Sequence, residues 1–234
     1  MPRETPLAIR FALGSPVILT EGASLDAVVA YQGFAAGGDG LELLDCAFAK
    51  YGRVHCASWL FYEDQHIATK AQFVRMQRVG AALNENTLGP SGKSKYPFRI
   101  DNKRNEAQNK LNRYEAISSS ALWAFARGDV DVITSALSDI TSLGKQRPYG
   151  YGRVTKIEIH TANDWDDAGI KFPDGTPSRA IPIEDWEGEA KKGAYSIGFP
   201  RWVALPEVCA IPDNKSVDTC NLTGLPIEKS WVLG

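Results

Sequence analysis

Between Leu143 and Arg153 the chain reads Leu-Gly-Lys-Gln-Arg-Pro-Tyr-Gly-Tyr-Gly-Arg, a run in which glycine, cation and aromatic ring alternate. Gly144, Gly150 and Gly152 permit positive φ and close approach to another chain, which exposes amide N–H groups. Lys145, Arg147 and Arg153 add charge-assisted donors for phosphate, with Gln146 between the first two. Tyr149 and Tyr151 offer faces on which unstacked bases can lie. Phosphate contact, close backbone approach and stacking together describe single-stranded RNA better than a mononucleotide. A nucleotide P-loop follows a strand and opens a helix, whereas this loop follows a helix. No GxGxxG register is present, which removes the dinucleotide reading. The competing reading is a plain connection whose tyrosines pack and whose cations are solvated or sit on the preceding helix's C-terminus.

A second basic stretch runs from Gly89 to Arg113. It carries Lys93, Lys95, Arg99, Lys103, Arg104, Lys110 and Arg113 against only Asp101 and Glu106. Charge runs are commonly solvated loops, but this one shares a chain with the glycine-rich basic loop, and contact with RNA or DNA phosphate is the expectation. Such contact is mostly independent of sequence. Arg75 and Arg78 either extend this surface or bridge to Glu63 or Asp64. The net charge of −2 hides this asymmetry, because acids predominate from Ile157 onward, in clusters around Trp165 and Trp186. A polyanion would be met by the first region and repelled by the second, so those tryptophans read as core or protein-interface anchors.

Other chemistry is weaker. His55, His66 and His160 are candidates for metal-free RNA cleavage, but each is a lone histidine with a structural reading, and no catalytic residue is assigned. Cys46, Cys56, Cys209 and Cys220 form no CxxC pair and read as reduced, mostly packed thiols. A zinc site from Cys46, His55 and Cys56 would need an unusual adjacent His-Cys pair, so neither metal nor cofactor is expected. A hydrophobic content of 44% over 234 residues supports a packed core. No apolar run approaches the ~20 residues of a membrane span and no signal-peptide core is evident; the expected location is the cytoplasm.

The elements that must position the loop follow from periodicity. Pro6–Leu13 alternates as a strand before Gly14-Ser15-Pro16 turns the chain. Ser24 can cap a helix from Leu25 to about Phe34, and a second helical pattern, Leu41, Leu44, Phe48, Tyr51, stops at Gly52. Arg53–Tyr62 reads as a strand and His66–Val79 as extended. Gly80–Arg113 has little apolar periodicity and reads as an insertion or projecting loop. Glu115–Arg127 reads as a strand, with helix competing over Ala121–Ala126. Asp129 can cap a helix through Ile133, Ala136, Leu137 and Ile140, with Gly144 as its terminator. Val154–His160 alternates like an edge-capable strand. Two strand-helix-strand units suit an α+β, ferredoxin-like sheet with helices on one face over residues 1–160. Residues 161–234, Pro- and Trp-rich and weakly periodic, read as an irregular extension packing on the core or on a neighbour.

The run Ala126-Arg127-Gly128-Asp129, the helix behind it, Leu143-Gly144-Lys145-Gln146-Arg147 and Gly150-Tyr151-Gly152-Arg153-Val154 resemble the C-terminal glycine-rich motif of CRISPR RAMP proteins. More narrowly, together with Ser15-Pro16-Val17-Ile18-Leu19 and Ser24–Ala30, they resemble the Cas-five-like (Csf-three) subunit of type IV systems. The resemblance implies an RNA-recognition-like (RRM-like) RAMP core with a thumb-like insertion. It also implies a non-catalytic place at the 5′ handle of the CRISPR RNA in a ribonucleoprotein complex for plasmid interference or antiviral defence. The implied neighbours are a backbone (Cas-seven-like) subunit and a large subunit, and the target DNA duplex beside the protospacer-adjacent motif is a further partner it allows. Related RAMP subunits mature CRISPR repeat RNA without metal, which keeps an endoribonuclease as the alternative. A protein adaptor with incidental RNA contact is the other.

Overall fold

Leu7, Ile9 and Phe11 point to one face of the first strand and Ala8 and Arg10 to the other, and this period of two sorts what packs around it. The computed structural model describes residues 4–63, 67–75, 88–90, 98–100, 110–162, 165–198, 204–213, 216 and 227–233. In chain order its elements are β1 (Thr5–Leu13), α1 (Leu25–Ala35), α2 (Gly40–Ala47), β2 (Lys50–Tyr51), β3 (Val54–His55), β4 (Phe61–Tyr62) and β5 (Ile67–Arg75). There follow β6 (Leu88–Pro90), β7 (Phe98–Ile100), β8 (Lys110–Ser118), β9 (Ala121–Gly128), α3 (Val130–Leu137) and β10 (Val154–Ala162). The last are β11 (Ile181–Pro182), β12 (Lys191–Tyr195), β13 (Glu207–Ile211) and β14 (Ile227–Leu233). The class is mixed α+β. No helix among the described residues is long and apolar enough to cross a membrane.

Two compact units divide the chain: residues 1–67 with 117–234, and residues 68–116. The first is built on a five-stranded sheet in the order β14-β10-β1-β9-β4, whose neighbours pair antiparallel. On one face Leu7, Ile9 and Phe11 pack with Leu25 and Val29 of α1, Leu44 of α2 and Ile133 and Leu137 of α3. On the other, Trp123 and Phe125 pack with Trp59, Trp165, Cys209 and Ile211. Each large apolar side chain taken fully from water contributes about 1.5–3 kcal/mol. Both faces are therefore stabilising, and the second is covered by residues from 165 onward, including the small sheet β11-β13-β12. The smaller unit holds most of the β5–β8 ribbon and the hairpin of β6 with β7.

Several elements depart from expectation for identifiable reasons. α2 ends at Ala47 rather than running to Tyr51, because Ala49 N–H donates to the Arg127 carbonyl at 2.8 Å, and β2 follows. The stretch 53–62 is broken: Ser58 places its own hydroxyl in the ladder, accepting from the Phe125 amide at 2.8 Å. Likewise 115–127 is two strands, parted where the Ser119 hydroxyl donates to the Ala121 carbonyl at 2.9 Å. α3 is capped by Asp129 as expected but ends at Leu137, where the Ser138 hydroxyl and amide turn back to the Ser135 carbonyl. β10 is not an edge, since β14 pairs along it. Ser24 makes no cap bond; its hydroxyl donates to Asp26 instead.

Residues 161–234 fall in the same compact unit as the core. A buried ion pair fastens them: Arg179 Nη2 lies 3.0 Å from Asp26 Oδ2, with side chains 3% and 0% exposed. The same guanidinium donates to the carbonyls of His55 and Ala57, while Asp26 also accepts from the Ala27 amide, so the charges are enclosed in donors and acceptors.

Candidate nucleic-acid interface

The glycine-rich loop has an anchored base and an exposed tip. At the base, Leu143 N–H donates to the Gly152 carbonyl and Gly152 N–H to the Pro16 carbonyl, each at 2.8 Å. Lys145 N–H reaches the Ile18 carbonyl at 2.8 Å, and Arg153 N–H reaches the Ser15 hydroxyl at 2.9 Å. The loop is thus strapped to the turn that follows β1, and glycine is required there. A Cβ on Gly152 (φ +68°) would stand 1.9 Å from the Leu143 carbonyl oxygen, and one on Gly144 (φ +80°) 2.4 Å from that of Ile18.

The close approach that these two glycines permit is made to this chain's own carbonyls. Amides expected to face outward are in part spent internally: Tyr149 N–H closes on Gln146 and Gly150 N–H on Arg147, each at 2.9 Å. What the tip presents is side chains. Arg147–Tyr149 form a single 3-10 turn, entered through left-handed Gln146 (φ 59°) and left through Gly150 (φ 84°). Lys145, Arg147, Tyr149 and Arg153 are exposed, Tyr149 by 70%, whereas Tyr151 is half-buried. Around Gly150 nothing lies within 4 Å of an added Cβ.

Sequence reasoning did not find the support from α1. The Arg147 guanidinium sits 4.8 Å from the ring centre of Tyr31, which holds the cation by its π face. Tyr31 was hidden among the helix's periodic residues; its signal was a large aromatic on the exposed side of a short helix. Ser15, read only as part of a turn and a family-like run, supplies the oxygen that fixes Arg153.

The remaining cations divide differently. Arg113 lies exposed on β8, in the smaller unit. The side chains of Arg75, Arg99 and Lys110, and Arg78, Lys93, Lys95, Lys103 and Arg104 altogether, lie outside the described residues. So does His66.

The other candidate residues are engaged in the fold. His55 Nε2 lies 2.8 Å from Asp45, whose carboxyl is held below its usual range by Lys50 and then by His55. His160 lies beside Trp123, and burial pushes its basicity down. Cys56 and Cys209 are buried, which raises both thiols, while Cys46 is exposed. Among the described residues no three His, Cys, Asp or Glu side chains gather as metal ligands. Trp165 and Trp186 are buried, at 6% and 7% exposure. An ion-pair network spans the sheet: Arg10 grips Glu63 with two bonds of 2.8 and 3.0 Å and reaches Glu158 at 3.0 Å. Held by that guanidinium, with further bonds from Ser120 and Trp123, the Glu63 carboxyl is pulled down to about 2.

A family model described as CRISPR type IV associated protein Csf3 matches residues 57–171. The matched stretch holds β4, the smaller unit, β9, α3, the glycine-rich loop and β10; the family-like runs at 15–19 and 24–30 precede it. No curated protein matches the chain.

Proposed function

Taking as premise that the chain is a member of the type IV CRISPR Csf3 family, we propose that it is a non-catalytic subunit that binds the 5′ handle of the guide RNA. In this reading it works within a cytoplasmic ribonucleoprotein, joining backbone and large subunits. Membership places it in the setting of a multi-subunit type IV complex; the handle and the named neighbours are the finer proposal.

The observation that carries it is the loop: a tip with Lys145, Arg147, Tyr149 and Arg153 exposed, on a base fixed by hydrogen bonds to the turn after β1. Cations and a ring held on a rigid base are pre-organised for phosphate and base, so little ordering entropy is lost on binding. Taken in chain order, β1, β4, β9 and β10 lie in the sheet as fourth, first, third, second, with helices between first and second and between third and fourth. That arrangement supports a ferredoxin-like RAMP core. RRM-like cores often stack RNA on the open sheet face, but here that face carries Trp165, Cys209 and Ile211. The loop that follows α3 is then the proposed contact with RNA. Basic residues 93–113 would clamp the guide or the target duplex beside it.

The test is salt-titrated binding of the purified chain to handle RNA and to a scrambled RNA, in EDTA, with products resolved on a denaturing gel. Handle-preferring binding without cleavage is expected. The double substitution Lys145→Ala with Arg147→Ala should weaken binding across all sequences and flatten the log–log salt slope by roughly 0.7 for each phosphate no longer neutralised. A cut at one position would replace this reading by the processing endoribonuclease. Crosslinks from the loop to protein alone, within an assembled complex, would replace it by the adaptor.

A further inference from the structure

Beside the loop, between α1 and the segment after α3, a cleft of about 690 Å³ opens within the larger unit. We propose that this cleft receives a short amphipathic stretch of a neighbouring protein subunit, its apolar side chains inward and a lysine or arginine at its flank. This rests on the reading of the chain as a subunit of a type IV complex and adds to it where one neighbour attaches.

The lining is chiefly apolar: Ala27, Val28 and Tyr31 come from α1, and Ile140 and Leu143 from the segment after α3. Tyr31 and Phe34 each leave 51% of their surface exposed, a large aromatic area for one short helix to keep in water. The volume falls in the range of ~300–1,000 Å³ typical of binding pockets, with room for several side chains.

Charge decides between RNA and protein. The charged lining residues are Glu21, Asp139 and Arg147, and Arg147 is already placed over the Tyr31 ring. Two carboxylates against one engaged cation repel phosphate and attract a basic flank. Glu21 also lies beside the Tyr195 hydroxyl, whose ionisation is pushed up to about 12 by burial and by that carboxylate. Guide RNA on the cationic tip and a basic peptide in the acidic cleft would therefore occupy adjoining sites without competing for the same charges.

The experiment uses the full chain in an assembled type IV complex with guide RNA. A photo-crosslinking phenylalanine analogue placed at Ala27 or Phe34 should join to a protein subunit, at a peptide holding apolar residues next to Lys or Arg. A crosslink to guide RNA, or none to any protein, overturns the proposal. Asp139→Lys, and Glu21→Lys with Asp139→Lys, should weaken association with the crosslinked subunit by ~10-fold while handle-RNA affinity of the isolated chain does not fall. Asp139 is exposed, so the single variant guards against misfolding. Association unchanged in both variants overturns the proposal. If the isolated wild-type chain fails to bind handle RNA yet the protein crosslink forms, the RNA reading falls and the docking site stands.

Discussion

At the scale of single residues, the glycines of the loop do different work. Gly152 and Gly144 are held by contact, since their missing Cβ atoms leave room for the carbonyls of Leu143 and Ile18. Gly150 is held by conformation alone, with positive φ and open space around it. Gly152→Ala should therefore cost on the order of 3 kcal/mol, combining left-handed strain with overpacking, whereas Gly150→Ala should cost about 1 kcal/mol. Urea unfolding of both variants checks this; equal costs would mean that the base is not anchored as described. Glu63 carries a second residue-scale prediction. Its carboxyl titrates at about 2 in the folded chain against 4.5 ordinarily, so the stability it contributes is complete above about pH 4.5 and is lost as pH falls toward 2. Glu63→Gln should be less stable than wild type at neutral pH, with the difference shrinking across that window. A constant difference would show that the carboxyl is not lowered on folding.

Elements are positioned by a few side chains whose partners lie far along the chain, and this limits what periodicity can reveal. β1, the Asp129 cap of α3 and the loop's order after a helix were legible, because alternation, capping and glycine placement are local signals. The break of 53–62 was not, because Ser58 enters the ladder through a bond to Phe125 that has no local trace. Nor was the Arg179–Asp26 pair, which joins residues 153 positions apart. Arg147 and Tyr149 were legible as candidates, but Tyr31 was not, since its role comes from the packing of α1 beside the loop. The ion pair gives the prediction at this scale. Arg179→Met or Asp26→Leu alone strands a buried charge and should cost about 3–5 kcal/mol, while the two together should recover much of it. A double-mutant cycle in chemical unfolding measures the coupling; additive losses would mean that the two side chains act independently.

For the molecule as a whole, the two long segments that resembled additions to a core differ physically. Residues 68–116 form a compact unit of their own, closed where the Thr69 hydroxyl donates to the Ala116 carbonyl at 3.1 Å. Residues from 165 onward supply half of a hydrophobic core, covering Phe61, Trp123 and Phe125 with Trp165, Ala168 and Ile211, and β14 pairs along β10. Weak periodicity gave this C-terminal segment a peripheral character in the sequence, because a segment that covers a sheet by scattered contacts needs no repeat of its own. Replacing 68–116 by a short Gly-Ser link should leave a cooperatively unfolding chain with α1, α3 and the loop intact, and should weaken RNA binding to the extent that residues 93–113 contribute. Truncation after residue 162 should uncover a face of aromatic side chains, bind the dye ANS and associate, because an exposed apolar patch of that kind is rarely tolerated on a monomer. Sedimentation and thermal unfolding of the two variants separate the cases. A monomeric, cooperative truncation would make residues 165–233 a true appendage, and a collapsed excision would show that the larger unit depends on the smaller for its fold.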